Sequence, residues 1–197
     1  MKKRVFIIHG WEGYPKEGWL LWLSKELKKK GFNIIAPQMP NTDEPKIKEW
    51  VSFLAKLVGK PDENTYFVGH SIGCQTIMRY LETLKNKKIG GLVFVSGWFK
   101  LTNFSFTEFP EYEKSSRKIA RPWEKNKINF KKIKNTTKNI IAIFSNDDPY
   151  VSLDNKKIFA KKLNARIIVE HNKKHFREAD NITKLPIVLE KILEMSK

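Results

Sequence analysis

The sequence has one cysteine and four histidines among 197 residues. Cys74 has no second thiol to bridge, which excludes an internal disulfide and makes a reducing, cytoplasmic setting the expectation. One cysteine with His9, His70, His171 and His175 offers no recognisable zinc spacing, so no metal is expected. Apolar runs are short, and none reaches the length of a membrane span. The basic start Met1-Lys2-Lys3-Arg4 is followed by Val5 to Ile8, which ends at His9-Gly10, too soon for the apolar region of a signal peptide. Internal repeats and low-complexity linkers are also missing.

What is present fits one well-cored domain over residues 1–197, since this length is short for two. Hydrophobic residues make up 41% and charged residues 30%, which is a globular balance rather than a disordered one. The net charge is +17, and the stretch Lys114 to Lys138 carries ten Lys/Arg against the single acid Glu124. Nucleic acid, an anionic membrane surface or an acidic substrate would each suit such a charge. Against a specific polyanion stands the choice of cation, 32 lysines to 6 arginines. Arginine is the side chain favoured for bidentate phosphate and base contacts, so the lysine excess reads as a solvated surface. The sequence carries no signal for an oligomeric state.

Short β-like runs alternate with helical stretches. Strands are expected at Val5 to Ile8, Phe32 to Ala36, Tyr66 to Val68, Gly91 to Val95, Ile140 to Phe144 and Arg166 to Val169. Between them, Gly18 to Lys30 places Trp19, Leu20, Leu23 and Leu27 at helical spacing, and Gly31 ends it as a C-cap glycine would. Thr42 or Asp43 is the expected cap of a helix carrying Ile47, Trp50, Val51, Leu54 and Leu57 on one face. Further helices follow Ser71, run from Asp154 to Leu163, and extend from about Thr183 to Met195. Short, continuously apolar strands are buried on both faces, so the expected fold is a parallel sheet with helices on both sides. The region from Gly97 to about Asn139 reads as irregular, aromatic and basic. It is either a connection packed over the sheet edge or a small cap over a site.

The most informative segment is Gly69-His70-Ser71-Ile72-Gly73. The bare Gly-x-Ser-x-Gly pattern arises by chance in roughly 5% of chains this long. Here it follows an apolar run and opens an apolar-periodic helix. A serine on such a sharp strand-to-helix turn is thrust out of the sheet, and the N–H groups after it point at whatever it attacks.

A serine hydroxyl needs a base, and the base needs an orienting acid. In α/β-hydrolase sheets the chain order is serine, acid, histidine. Asp147 and Asp148 follow the fifth strand, and periodicity does not choose between them. His175 lies in the loop after the sixth strand and is the expected base. His171 lies close to the strand end as an ordinary surface residue, His9 is expected to shape the loop after the first strand, and His70 is expected to point away from Ser71. The N–H of Ile72 is one oxyanion donor; the loop His9 to Gly13 offers that of Trp11 as the second. Trp98, Phe99 and Phe176, with Trp11, are candidates for the pocket wall, with core packing the alternative for each.

On these residues the chain resembles small single-domain α/β-hydrolases of the retinoblastoma-binding serine hydrolase family and its bacterial relatives. The likeness spans nearly the whole chain. It rests on Gly10-Trp11 with Gly18-Trp19, Met39-Pro40-Asn41, Gly69 to Gly73, Met78-Arg79-Tyr80, Val95-Ser96, Arg121-Pro122-Trp123, Asp147-Asp148-Pro149 and His175-Phe176. The resemblance implies six parallel strands, no large lid domain, and Ser71, Asp148 and His175 as the triad. Two features depart from the family pattern. Lys174 stands where a glycine is frequent, and a cation there disfavours protonation of His175, less so when screened by solvent. No Leu-x-Cys-x-Glu segment exists, so retinoblastoma-protein binding does not carry over.

The expected function is hydrolysis of a small ester, thioester or amide through an acyl-enzyme, with no cofactor and a small acyl substrate as partner. A small-peptide peptidase on the same triad is the alternative within enzymes. A non-catalytic binding protein that kept the fold, using the basic stretch 114–138, is the alternative outside them.

Overall fold

A computed structural model describes residues 2–197. Six strands form one fully parallel sheet in the order β2-β1-β3-β4-β5-β6. They are β1 (Arg4–Ile8), β2 (Asn33–Ile35), β3 (Thr65–His70), β4 (Gly91–Val95), β5 (Ile140–Ser145) and β6 (Arg166–Glu170). Side chains alternate across a strand, so each strand feeds two cores. Phe6, Ile8, Phe67, Leu92, Phe94, Ala142 and Phe144 pack on one face. Val5, Ile7, Val68, Val93, Val95, Ile141 and Ile143 pack on the other.

Helices cover both faces, giving three layers. α1 (Gly18–Lys29) and α8 (Pro186–Met195) lie on the second face, with Trp19, Leu20, Leu23, Val188 and Ile192 buried there. On the first lie α2 (Ile47–Val58), α3 (Ile72–Leu81) and α7 (Asp154–Leu163), which bury Trp50, Leu54, Ile77, Met78 and Phe159. Each such large apolar side chain contributes about 1.5–3 kcal/mol by leaving water. α1 ends as its glycine requires: Gly31, at φ +85°, donates to Lys28 O (2.9 Å) and Phe32 N donates to Leu27 O (3.1 Å), the paired bonds of a Schellman motif.

Three local expectations are corrected. α2 starts at Ile47 with no side-chain cap, so neither Thr42 nor Asp43 caps it. Their carbonyls instead accept from Glu12 N and from the Trp11 indole, both at 3.0 Å, which ties this segment to the loop after β1. α8 begins at Pro186, three residues later than about Thr183, because proline at the first helical position presets φ. The region 97–139 is mostly helical rather than irregular: α4 (Phe104–Thr107), a 3₁₀ turn (Pro110–Tyr112), α5 (Glu113–Lys125) and α6 (Phe130–Thr136). It both packs on the core, through Trp123 and Ile133, and covers the cavity at the carboxyl ends of the strands, through Phe106, Phe109 and Tyr112.

Candidate active site

The strand order decides where a site forms. β2 lies on one side of β1 and β3 on the other, so the chain reverses direction between β1 and β3. Loops leaving the carboxyl ends of those two strands diverge and open a crevice, the usual ligand position in open α/β sheets. The loop after β1 carries Trp11, and the turn after β3 carries Ser71.

Ser71 sits at φ +52°, ψ −120°, a strained conformation for a residue with a side chain. Its glycine neighbours make the turn possible. A Cβ at Gly69 would lie 2.8 Å from Cys74 N, and one at Gly73 would lie 2.7 Å from His9 O and collide with Ile8 O. Ile72 is the first residue of α3, so its N–H has no intrahelical acceptor. The N–H of Trp11 donates to no protein acceptor among the described residues. Both remain available beside the serine.

Asp148 and His175 meet although they leave different strands. His175 Nδ1 lies 2.8 and 3.0 Å from the two Asp148 carboxylate oxygens, with both side chains nearly buried. Asp148 also accepts from Ser96 Oγ (2.8 Å), Tyr150 N (2.9 Å) and Val151 N (3.0 Å). Burial pushes this carboxyl up, but the His175 ring, the Ser96 hydroxyl and the Val151 N–H together hold it below the ordinary value. Asp148 is therefore an anion that orients His175 with its proton on Nδ1, leaving Nε2 as the acceptor. Asp147 points elsewhere: its carboxylate accepts from Ser145 Oγ (2.6 Å) and Lys174 N (3.0 Å) and pins the two loops together.

Ser71 and His175 line one cavity of about 340 Å³, with Trp11, Trp98, Phe106 and Tyr150 among its walls. The indole of Trp98 donates to Ser71 Oγ at 3.3 Å, so this residue contacts the serine itself. The other two expected wall residues do not line the cavity. Phe99 packs at a tilt against Phe159 (5.0 Å) and edge-on against Phe130 (5.4 Å). Phe176 is fully buried in the core of the α1 face, where its carbonyl accepts from the Trp19 indole (2.9 Å). In both cases the residue beside a site residue in sequence turns inward to fill core volume.

The remaining histidines separate by environment. His9 shapes its loop, lying 2.8 Å from Gly10 O and accepting from Met39 N at 3.0 Å. His171 is exposed. His70 lies beside His175: its Nε2 donates to His175 O (2.8 Å) and the two rings are 5.1 Å apart. Burial, helped by His175, pushes its pKa down to about 3, so it stays neutral. Cys74 is buried and its thiol is pushed up, which makes it inert as a nucleophile. Lys174 takes φ +46°, in the left-handed region that favours glycine, and its side chain is exposed. Ser96 and Tyr150 had no site role in the sequence reading; for Ser96 the available signals were its place at the end of β4 and the Val95-Ser96 segment of the resemblance.

The buried histidines set a pH dependence of stability. His70 has a folded pKa below its unfolded value near 6.5, so below that pH the unfolded chain binds a proton that the folded chain refuses. Stability therefore falls as pH drops through 6.5 toward 3, and His70 accounts for about 2 kcal/mol between pH 7 and pH 5. His9, also lowered by burial, adds to this, while Glu17, raised by burial, works in the opposite sense. Urea unfolding at the two pH values checks it: His70→Asn is expected to flatten the decline, and an unchanged slope in that variant would refute the assignment.

A parallel sheet with a serine on the turn after β3, an acid after β5 and a histidine after β6 defines an α/β-hydrolase. The chain belongs to the serine hydrolase family, whose model matches residues 5–194, and its function is accordingly hydrolytic. It is 32% identical over 189 residues to the putative hydrolase YdeN of Bacillus subtilis, covering 95% of this chain and 93% of that protein. It is 29% identical over 164 residues to the serine hydrolase RBBP9 of Rattus norvegicus, covering 83% and 80%. The crystal structure of the B. subtilis ydeN product superposes with a TM-score of 0.86 at 30% identity, covering 98% of each chain. Est1E from Butyrivibrio proteoclasticus shares the fold, with a TM-score of 0.71 at 16% identity over 98% of this chain and 88% of that one. Among the described residues no helix is long and apolar enough to cross a membrane, and no group of three or more His, Cys, Asp or Glu could hold a metal ion.

Proposed function

We infer that the chain, acting as one domain, hydrolyses a small carboxylic ester or thioester through an acyl-enzyme on Ser71. The observation that carries this is the 2.8 Å contact between Asp148 and His175 Nδ1, in the cavity that also holds Ser71. His175 Nε2 takes the Ser71 proton as the hydroxyl attacks the carbonyl carbon. The oxyanion that forms accepts from the backbone N–H groups of Ile72 and Trp11. Collapse expels the leaving group, which receives the proton from His175. A water molecule, deprotonated by the same histidine, then releases the acid. Asp148 holds the imidazole in the productive tautomer and stabilises its charged form throughout. This cycle uses side chains, backbone N–H groups and water alone. Its small apolar acyl substrate sits against Trp98, Phe106 and Tyr150. One free, buried cysteine supports a reducing, cytoplasmic setting.

A fluorophosphonate probe tests the nucleophile directly. Wild-type protein is expected to be labelled stoichiometrically and Ser71→Ala not at all; a folded wild type that stays unlabelled ends the reading. A panel of p-nitrophenyl esters against aminoacyl p-nitroanilides separates ester from peptide hydrolysis, with turnover expected on the esters.

A further inference from the structure

Folding sorts the charges of the cap. Glu108 turns inward to Tyr150 Oη, Glu124 accepts from Leu101 N (3.0 Å), and Glu113 is paired with Arg117 (2.8 Å). Glu111 is the one cap carboxylate left exposed and without such a partner among the described residues. Lys114, Lys118, Arg121 and Lys125 recur at four- and three-residue steps on α5 and so form one stripe. All four are exposed and have no carboxylate partner among the described residues. The opposite side of the helix buries Ala120 and Trp123, so the stripe faces outward. It spans about 16 Å at the rise of an α-helix and lines a shallow depression with Arg117.

Apolar exposure is concentrated in the segment that leads into this helix. Of five exposed large hydrophobic side chains among the described residues, Phe104 (44%), Phe109 (57%) and Tyr112 (61%) fall within the nine residues preceding α5. Phe109 and Tyr112 also line the cavity of Ser71, so these rings stand at its mouth. Exposed aromatic rings beside a row of unpaired cations match a surface with an apolar interior and anionic headgroups. Three of the four stripe cations are lysines, point charges suited to headgroups rather than the flat bidentate fork that nucleic acid favours. We propose that the outer face of the cap, Phe104 to Lys125, docks the protein on an anionic lipid surface. Only the further step, delivery of a membrane-borne acyl ester to Ser71, rests on the hydrolytic reading above.

Vesicle co-sedimentation tests the docking apart from catalysis. Wild type and Ser71→Ala are expected to bind vesicles of about 30 mol% phosphatidylserine in phosphatidylcholine equally, to bind pure phosphatidylcholine weakly, and to dissociate as salt rises. Each stripe cation contributes roughly five-fold to partitioning, so Lys118→Gln/Arg121→Gln/Lys125→Gln lowers it about 100-fold. Phe109→Ser/Tyr112→Ser is expected to lower it several-fold at unchanged net charge. All these side chains are exposed, and circular dichroism checks that the variants stay folded. The proposal is overturned by absent binding, by equal binding to neutral vesicles, or by a triple variant that partitions like wild type. It is also overturned if single-stranded RNA displaces the vesicles and the aromatic variant binds them normally, since that pattern describes a general polyanion surface.

Discussion

Ser71→Ala is expected to lower kcat/KM for a p-nitrophenyl ester by about 10⁴- to 10⁶-fold, with the fold intact. The size follows from the proposed chemistry, in which the Ser71 hydroxyl forms the acyl bond; the residual rate is what the N–H donors and binding would provide alone. The same position predicts a stability change of opposite sense. Ser71 holds φ +52°, ψ −120°, a conformation that costs a non-glycine residue about 1–3 kcal/mol. Alanine keeps that strain, whereas Ser71→Gly relieves it and is expected to raise unfolding stability by about 1 kcal/mol while abolishing activity. Urea unfolding and ester kinetics on the three proteins measure both effects. Activity surviving in Ser71→Ala would move the nucleophile elsewhere, and a glycine variant less stable than alanine would remove the strain.

Asp148→Asn is expected to cost about 10⁴-fold in kcat, because an amide presents an N–H toward Nδ1 and turns the imidazole to the tautomer whose Nε2 can no longer accept the serine proton. Asp147→Asn is expected to stay within about ten-fold. Its carboxylate serves Ser145 and the Lys174 N–H, so its loss loosens a loop rather than the imidazole. Ser96→Ala tests the same wiring, since it removes one of the hydrogen bonds that hold Asp148 anionic and leaves the His175 contact in place. Steady-state kinetics from pH 5 to pH 9 read all three. If the Asp147 variant were the crippled one, the acid would shift by one residue.

Much of this architecture was legible from local pattern. Strands such as Val5 to Ile8 and Ile140 to Phe144 announce themselves because parallel strands buried on both faces are continuously apolar. α1 is equally plain, with Trp19, Leu20, Leu23 and Leu27 on one stripe and Gly31 in the position its Schellman bonds require. α5 was invisible for the converse reason. Its thirteen residues bury only Ala120 and Trp123 and include Pro122, so its apolar side is too sparse to announce a helix although its charges gather on the other side. Phe99 and Phe176 misled because adjacency along the chain says nothing about which way a ring turns once the backbone leaves the strand.

The sequence by itself determined the sheet, the helices that flank it and the chain order of Ser71, the Asp147-Asp148 pair and His175. Each of these rests on periodicity or turn chemistry within a few residues, which any short window of the chain carries. Tertiary structure decided how Asp148 meets His175, that His70 is buried beside His175, that Trp98 reaches Ser71 and that the cap turns Glu108 and Glu124 inward and its lysines out. Those outcomes depend on contacts between segments 23 to 105 residues apart in the chain. Such contacts are set by how the strands are ordered in the sheet and by which side chains the core has room to bury.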